Sequence, residues 1–264
     1  MQAFIALRQL AKASNSEINR ELTLLKRAYN LGIQGELVFK KPAIRMLREP
    51  PPRRGFFEQD EYERLLAKLP DYLRPPVTFA FWTGWRIYSE ILSLSWDQVD
   101  LVEGTARLHA GNTKNGEGRI IALPAELRAF LERLWADHTN LYPKCHLIFQ
   151  RGGQQIKAFR DACATACKKA ELVDDKGNPN KIPHDFRPTA ARNMVRAGIP
   201  ERVVMQILGH KTRSMLDRYN IVNEGDLRQA AEQLEVSMRS RTVTSLVTND
   251  EKEAGAGQLT PVTH

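Results

Sequence analysis

Apolar residues recur at the three- and four-residue spacing of amphipathic helices through most of the chain. Ser14 and Glu17 form a capping-box pair that marks the start of one such helix. Its apolar positions share one face: Ile18, Leu22, Leu25 and Tyr29. The same spacing predicts further helices over residues 1–12, 58–69, 74–82, 124–138, 157–171 and 226–238.

Between residues 102 and 124 the pattern changes to the alternation that is typical of strands. The alternating apolar positions are Ala106, Leu108, Ala110, Ile121 and Leu123. Asn115-Gly116 lies between the two groups and is the dipeptide favoured in tight type I′ hairpin turns. The turn places Lys114 at the tip of the hairpin. We therefore predict a mainly α fold with a small antiparallel β-sheet (α+β).

Two short helices with polar residues near their ends are predicted within residues 183–220. Asp185 or Thr189 can cap the first helix, since both side chains accept hydrogen bonds from exposed backbone N–H groups. Gly198 supplies the left-handed residue that ends this helix, and Gly209 ends the second in the same way. The two helices are therefore short and have well-defined ends.

Pro200 is expected at the first position of the second helix, where its missing N–H is not needed. This arrangement places His184 just before the first helix and His210 just after the second. Arg187 lies in the first turn, and Tyr219 follows one short helical segment further on. Polar groups at the ends of rigid helices can point into a shared cleft, so these residues are candidates for a functional site.

A proline run, Pro50-Pro51-Pro52, precedes two arginines and predicts an extended linker. The polar C-terminal tail has little apolar surface to bury, which predicts disorder. The expected organisation is a helical N-terminal segment at 1–49, a linker at 50–55, the main domain at 56–239 and a disordered tail at 240–264.

The chain of 264 residues has a net charge of +8 and a pI near 9.5, which favours a polyanionic partner, with nucleic acid first. Three cysteines are too few for a disulfide framework and indicate a reducing compartment. The N-terminus lacks the apolar region of an export signal, and no run of about 18 apolar residues occurs. We expect a cytoplasmic protein without a membrane partner.

The cysteines raise the question of a metal site. Cys163 and Cys167 lie one helical turn apart, and Cys145 adjoins His146. Neighbouring small residues form a packing face with Cys163: Ala162, Ala166 and Ala170. We interpret the cysteines as packing residues and expect neither metal nor cofactor.

Four motifs occur in a specific order. An arginine box spans Thr83–Trp96, an H-x-x-R motif spans His184–Arg187, and an L-G-H motif spans Leu208–His210. Tyr219 follows nine residues after the last histidine. In this order and spacing the motifs resemble the tyrosine recombinase (phage integrase) family.

The resemblance implies the catalytic set Arg86, Lys114, His184, Arg187, His210 and Tyr219. In that chemistry Tyr219 attacks a DNA phosphodiester to form a 3′-phosphotyrosyl link, which a 5′ hydroxyl of the partner strand resolves. Two arginines suit the non-bridging oxygens because their forked donors match that geometry. His184 is the candidate base, His210 donates to a non-bridging oxygen, and Lys114 protonates the leaving oxygen.

The resemblance also implies double-stranded DNA as the partner, self-assembly on paired DNA sites and nucleoid association when bound. The covalent link conserves the bond energy, so neither ATP nor metal is required. The N-terminal segment is similar to the last part of the family's core-binding domain. Two alternatives stay open: DNA relaxation of the type IB topoisomerase kind, and a catalytically weak DNA-binding remnant of an integrase.

The chain departs from the family pattern at two positions. The family spaces the first arginine and its acid as R-x-x-E, whereas Tyr88 adds a residue between Arg86 and Glu90. The addition turns a regular helix by roughly 100°, or it is absorbed by a wider loop or a π-bulge. Pro188 follows Arg187 and disfavours helical backbone there. With the short N-terminal segment, these departures predict a folded, DNA-binding protein with weak or absent recombination.

Overall fold

A computed structural model of the chain describes residues 1–51, 53, 55–111, 116–217 and 219, together with 225, 227–228, 230–232, 234–236 and 238–239. Lys114, Asn115 and the predicted tail at 240–264 lie outside the described residues. The chain divides into two compact units, Met1–Arg53 and Arg54–His264.

The first unit contains helices α1 (Gln2–Leu10) and α2 (Asn15–Gln34). The predicted cap of α2 is confirmed, because the Ser14 hydroxyl accepts a hydrogen bond from the Glu17 amide at 3.2 Å. The buried apolar residues of this first unit are Ile18, Leu22 and Ile44. A core of this size stabilises a unit of about 50 residues only weakly.

The second unit is mainly helical. Its α-helices are α3 (Gln59–Lys68), α4 (Arg74–Thr83), α5 (Ala125–Leu141), α6 (Arg160–Lys169), α7 (Phe186–Arg196), α8 (Glu201–Leu208) and α9 (Arg213–Asp217). Short 3₁₀ turns span Asp71–Leu73, Trp96–Gln98 and Pro183–Asp185, and a π-helical turn spans Ile87–Ile91. The described residues between 225 and 239 are also helical. The predicted helices are confirmed with shifts of a few residues at their ends.

A small antiparallel sheet contains β1 (Val99–Asp100), β2 (Thr105–Leu108) and β3 (Arg119–Ala122) in that order. Leu108 pairs with Arg119, and Ala106 pairs with Ile121. A second hairpin joins β4 (Gln150–Arg151) and β5 (Gln154–Gln155). The predicted α+β class is therefore confirmed.

The main core lies between the helices and one face of the sheet. Trp85 is buried at its centre and stacks edge-on against Phe79, with ring centroids 5.7 Å apart. Trp82 and Trp96 are partly buried against the same core. The three tryptophans around the arginine box are packing residues, and Trp85 fixes the backbone next to Arg86.

The helix ends between residues 183 and 209 follow the predictions in part. Gly198 and Gly209 have φ values of 76° and 67°, so both supply the left-handed residues that end α7 and α8. The predicted cap of α7 is wrong, because the Asp185 carboxylate accepts from the Ile182 amide at 2.8 Å and so closes the preceding 3₁₀ turn. Pro200 is also one position earlier than predicted, since α8 begins at Glu201.

Thr189, the other predicted cap, lies inside α7. Its hydroxyl donates to the carbonyl of Asp185 at 2.6 Å and accepts from the amide of Phe57 at 2.8 Å. The Phe57 ring stacks on Phe186 with centroids 4.5 Å apart. Thr189 therefore fixes the start of α7, and with it Arg187, to the beginning of this unit. None of the helices in the described part of the chain is long and apolar enough to cross a membrane.

Candidate active site

The extra residue in the arginine box is accommodated by a π-helical turn. The amides of Ile91 and Leu92 bond to the carbonyls of Arg86 and Ile87, five residues back, at 3.1 and 2.9 Å. The wider turn absorbs one residue without rotating the rest of the segment. Of the three alternatives for Tyr88, the π-bulge is the one observed.

The π turn brings Glu90 back against Arg86. The Arg86 amide donates to Oε2 of Glu90 at 2.8 Å, and its guanidinium Nη1 donates to Oε1 at 2.6 Å. Glu90 is fully buried, while 19% of the Arg86 side chain is exposed. The carboxylate fixes one edge of the guanidinium and leaves the remaining donors for an anion.

A second arginine, absent from the predicted set, shares this carboxylate. Arg119 begins β3, and its Nη2 lies 2.5 Å from Oε1 of Glu90. Its Nη1 donates to the carbonyl of Leu208 at the end of α8. Alternation along β3 was the signal for it, because Arg119 shares a face with the buried Ile121.

Arg187 lies in the first turn of α7 and is almost fully buried. Its Nη1 donates to the carbonyl of Gly84 at 2.8 Å, and its Nη2 donates to the carbonyl of Leu208. Burial, and then the charge of Arg86, lowers the pKa of Arg187 to about 10. The side chain is therefore charged at neutral pH and held by two backbone acceptors.

Pro188 does not disturb this position. It is the third residue of α7, where the helix has no backbone hydrogen bond to lose. Arg187, which directly precedes this proline, has a helical backbone conformation. Together with the Arg86–Glu90 pair across the π turn, this geometry removes the two local grounds for expecting weak activity.

His210 and Tyr219 lie side by side. Their ring centroids are 5.3 Å apart with an interplanar angle of 29°. His210 is 6% exposed, and within the described part of the chain neither ring nitrogen has a hydrogen-bond partner. Burial, followed by the charges of Arg187 and Arg86, lowers the pKa of His210 to about 3. The imidazole is neutral at neutral pH and is available for a ligand.

A pocket of about 260 Å³ opens beside these groups. Its lining combines cationic and polar residues: Arg86, Glu117, Gly118, Arg119, Met205, Gln206, Gly209, His210 and Lys211. Lys211 and Glu117 form an ion pair at 3.1 Å, with both side chains largely exposed. An anion entering the pocket meets the free donors of Arg86 and His210.

The remaining two candidates are His184 and Lys114. His184 is exposed in the 3₁₀ turn that precedes α7 and is not one of the residues lining the pocket. Lys114 lies outside the described residues, between β2 and β3. The structure thus brings together Arg86, Arg187, His210 and Tyr219 of the predicted set, and adds Arg119 and Glu90.

The cysteines take no part in this site. Cys163 and Cys167 are buried in α6. Among the residues that the structure describes, no group of three His, Cys, Asp or Glu side chains is arranged to hold a metal ion.

The Glu90 carboxylate gives a prediction for stability. Glu90→Gln removes the charge shared by Arg86 and Arg119, and breaking a buried ion pair from one side costs about 3–5 kcal/mol. Urea unfolding measures the loss. The control Glu132→Gln breaks the exposed pair with Arg128 and should cost less than about 1 kcal/mol. Equal losses in the two variants would contradict the bridging role of Glu90.

His210 gives a prediction for pH. Its folded-state pKa lies below the ordinary value of 6.5, at about 3, so the unfolded chain binds a proton in this window that the folded chain does not. The free energy of unfolding therefore falls as the pH drops from about 6.5 towards 3. His210→Asn should flatten this slope in denaturation at a series of pH values, whereas the exposed His109→Asn should not. An unchanged slope in His210→Asn would refute the assignment.

Comparisons with known proteins place the chain in a family. A sequence model described as the phage integrase family matches residues 55–225, which is well over half of the chain. The integrase of Salmonella phage P22 is 25% identical over 208 residues, covering 76% of this chain and 52% of that protein. Tyrosine recombinase XerA of Thermococcus kodakarensis is 26% identical over 246 residues, covering 88% and 82%. The chain thus spans about half the length of the P22 integrase and most of XerA.

Solved structures share the fold. The Tn1549 transposon integrase in complex with circular intermediate DNA superposes with a TM-score of 0.67 at 20% identity, covering 86% of this chain and 82% of that chain. A lambda integrase dimer bound to a core site gives 0.66 at 18% identity, covering 83% and 63%. Identities at this level establish a common fold. Together with the sequence match over residues 55–225, they show that the chain belongs to the phage integrase family, whose similar members are tyrosine recombinases.

Proposed function

We propose that this chain is a site-specific DNA recombinase that cleaves and rejoins strands through Tyr219. The observation that carries the proposal is the convergence of Arg86, Arg187 and His210 beside the ring of Tyr219. A nucleophile next to a rigid anion site is the arrangement that phosphoryl transfer requires.

The electrostatics of the cluster suit a phosphodiester. Three arginines carry positive charge, Glu90 supplies one negative charge, and His210 is neutral. The site therefore holds an excess of fixed positive charge before DNA arrives. A scissile phosphate brings the missing negative charge. The positive groups stabilise it more strongly as further negative charge develops on its oxygens in the transition state.

The reaction proceeds in two balanced steps. The Tyr219 oxygen forms a bond to phosphorus while the bond from phosphorus to the 5′ oxygen breaks, so the leaving 5′ oxygen needs a proton and the tyrosine hydroxyl gives one up. In the second step a 5′ hydroxyl of the partner strand attacks phosphorus and releases Tyr219. The number of phosphoester bonds is conserved, so the reaction needs no external energy source.

We assign the two proton transfers to the remaining candidates, His184 and Lys114. His184, exposed three residues before Arg187, accepts the tyrosine proton, and Lys114 gives a proton to the leaving oxygen. His210 donates an imidazole N–H to a non-bridging oxygen, which its two unpartnered ring nitrogens support.

The partner is double-stranded DNA, in line with the net charge of +8. We also propose self-assembly on paired DNA sites through the C-terminal helical residues. Four large apolar side chains there are exposed: Leu227, Leu234, Val236 and Met238. A protein that acts on DNA in this way works in the cytoplasm, next to the nucleoid.

A covalent-trapping assay tests the proposal. In a suicide substrate, a nick near the cleavage site lets the short fragment that carries the 5′ hydroxyl diffuse away after cleavage. Without that hydroxyl the strand cannot be rejoined, and the protein stays attached to the DNA. An adduct is the expected result. No adduct on any cognate site would leave a DNA-binding remnant. Relaxation of supercoiled DNA without exchange between two sites would instead favour the topoisomerase alternative.

Lys114 gives a further prediction. Lys114→Ala should slow cleavage of ordinary DNA, and a sulfur in place of the bridging 5′ oxygen should restore most of the rate because a thiolate leaves without a proton. Lys211→Ala is the matched control. This pocket lysine is expected to bind phosphate only, so the variant should lose the same fraction of the cleavage rate on both substrates. Single-turnover cleavage rates decide. A Lys114→Ala defect that sulfur does not relieve would assign Lys114 to phosphate binding.

A further inference from the structure

We infer that Arg119 is a positioning residue for the reaction proposed above. It links the arginine box, β3 and the end of α8, which are three separate segments of the chain. The inference rests on the proposed function for its kinetic consequences, and on the observed contacts for its geometry.

The first contact joins Arg119 to Arg86. Both guanidinium groups lie on Oε1 of the buried Glu90, at 2.5 and 2.6 Å. A single carboxylate oxygen therefore sets the distance between the two arginines. Any movement of Arg119 is transmitted through Glu90 to the phosphate donor.

The second contact joins Arg119 to Arg187. Both donate to the carbonyl of Leu208, and Arg187 also donates to the carbonyl of Gly84. Gly84 precedes Arg86 by two residues, so the contacts form a closed ring. In order it contains Arg86, Glu90, Arg119, the Leu208 carbonyl, Arg187 and the Gly84 carbonyl.

The ring also places His210. Gly209, with a φ of 67°, separates Leu208 from His210, and a Cβ at this glycine would overlap the Arg119 guanidinium. The Arg119 side chain therefore packs directly against the backbone that presents the histidine. Arg119 also begins β3, the strand that follows Lys114 in the sequence.

Arg119 is less accessible to DNA than Arg86. Only 6% of its side chain is exposed, compared with 19% for Arg86. Its guanidinium lies over the Trp85 ring, 5.8 Å from the centroid. Its Nη2 forms an ion pair with Glu90 and its Nη1 donates to the Leu208 carbonyl, so its effect on a phosphate is exerted through the other arginines.

The test compares Arg119→Lys with Arg192→Lys. Arg192 is a matched control because it is also a buried arginine paired with a glutamate, in this case Glu58 at 2.8 Å. A lysine keeps the charge but cannot join two acceptors with a planar fork. Misplacement by about 1 Å costs on the order of 100-fold in rate. Arg119→Lys should lose cleavage of this size with near wild-type DNA affinity, whereas Arg192→Lys should cleave at the wild-type rate.

A second substrate distinguishes positioning from direct phosphate contact. A methylphosphonate at the scissile position is neutral, so it relieves the loss of a residue that acts by neutralising the phosphate. Arg119→Ala, which removes the charge, should keep its defect on this substrate. Relief of the defect, or wild-type cleavage of ordinary DNA by Arg119→Lys, would overturn the inference.

A third measurement does not depend on activity. In NMR spectra of the free protein, Arg119→Lys should shift the ring signals of His210 and weaken its ring contact with Tyr219. Arg192→Lys should leave both unchanged. Unmoved His210 signals in a folded Arg119→Lys protein would refute the positioning role. Absence of an adduct with the wild-type protein would instead refute the proposed function, and the NMR comparison would still decide the role of Arg119.

Discussion

Replacing Tyr219 by phenylalanine is expected to abolish the covalent protein–DNA adduct and to leave DNA affinity nearly unchanged. The substitution removes one oxygen, which is the nucleophile, and keeps the ring that stacks against His210 at 5.3 Å. We expect most of the binding energy to come from phosphate contacts elsewhere on the DNA, which the substitution does not change. Trapping on a suicide substrate and a titration with labelled DNA measure the two quantities.

Tyr88→Phe is the control for this experiment. Tyr88 lies within the arginine box, has a partly exposed side chain and packs against Phe159, with ring centroids 5.5 Å apart. Its hydroxyl has no role in the proposed chemistry, so the variant should form the adduct at the wild-type rate. Residual adduct in Tyr219→Phe, or loss of the adduct in Tyr88→Phe, would contradict the assignment of Tyr219 as the nucleophile.

Arg187→Lys should lower the cleavage rate by about 10²- to 10³-fold, which is the usual cost of removing one preorganised transition-state donor. The guanidinium is fixed by the carbonyls of Gly84 and Leu208, and an ammonium group cannot satisfy both and still reach a phosphate oxygen. DNA affinity should change by only a few-fold, because this is one contact among many. Single-turnover cleavage on the suicide substrate separates rate from affinity.

The control lies on the same helix. Arg192→Lys alters another buried arginine of α7, whose partner is Glu58. If α7 only needs to be folded for cleavage, the two variants will lose activity in proportion to their loss of stability. A selective defect in Arg187→Lys at equal stability supports the role proposed for the guanidinium.

Without DNA, the candidate active site holds several positive side chains close together, which is electrostatically unfavourable. Arg86 and Arg119 share the Glu90 carboxylate, Arg187 is buried close by, and His210 is held neutral beside them. Such a site is preorganised for an anion at the expense of stability in its absence. On the proposed function we therefore expect DNA to stabilise the folded protein, with the missing charge contributing through the affinity.

The sequence pattern was sufficient for most of the fold. Amphipathic spacing located the helices, and the glycines at 198 and 209 marked the ends of α7 and α8. Their strength as signals comes from the left-handed backbone that glycine adopts without strain. The caps were less predictable, because Asp185 can serve either the 3₁₀ turn or the helix that follows it, and tertiary contacts decide between them.

The π turn could not be derived from the sequence. One inserted residue is absorbed equally well by a loop, a rotated helix or a π-bulge as far as local pattern is concerned. The deciding contacts include one that is distant in sequence. Glu90 contacts both Arg86 and Arg119, and these two arginines are far apart along the chain. Only the three-dimensional fold brings that pair of arginines together.

Arg119 was missed for a related reason. Arginines in a basic chain are commonly exposed, so a single one carries little information. The alternation of β3 does place it on the face of Ile121, and a charged residue on a buried face requires a partner. That partner is Glu90, and its spacing from Arg86 in the sequence gives no sign of a second arginine.

Mass spectrometry of the trapped complex tests the central proposal most directly. After nuclease and trypsin digestion, the nucleotide-linked peptide should begin at Tyr219 and end at Arg228, because trypsin cleaves after Arg218 and Arg228. This peptide contains a single tyrosine. A nucleotide mass on residues 219–228 is the expected result, and a nucleotide on any other peptide, such as the one containing Tyr88, would contradict the assignment of Tyr219 as the nucleophile.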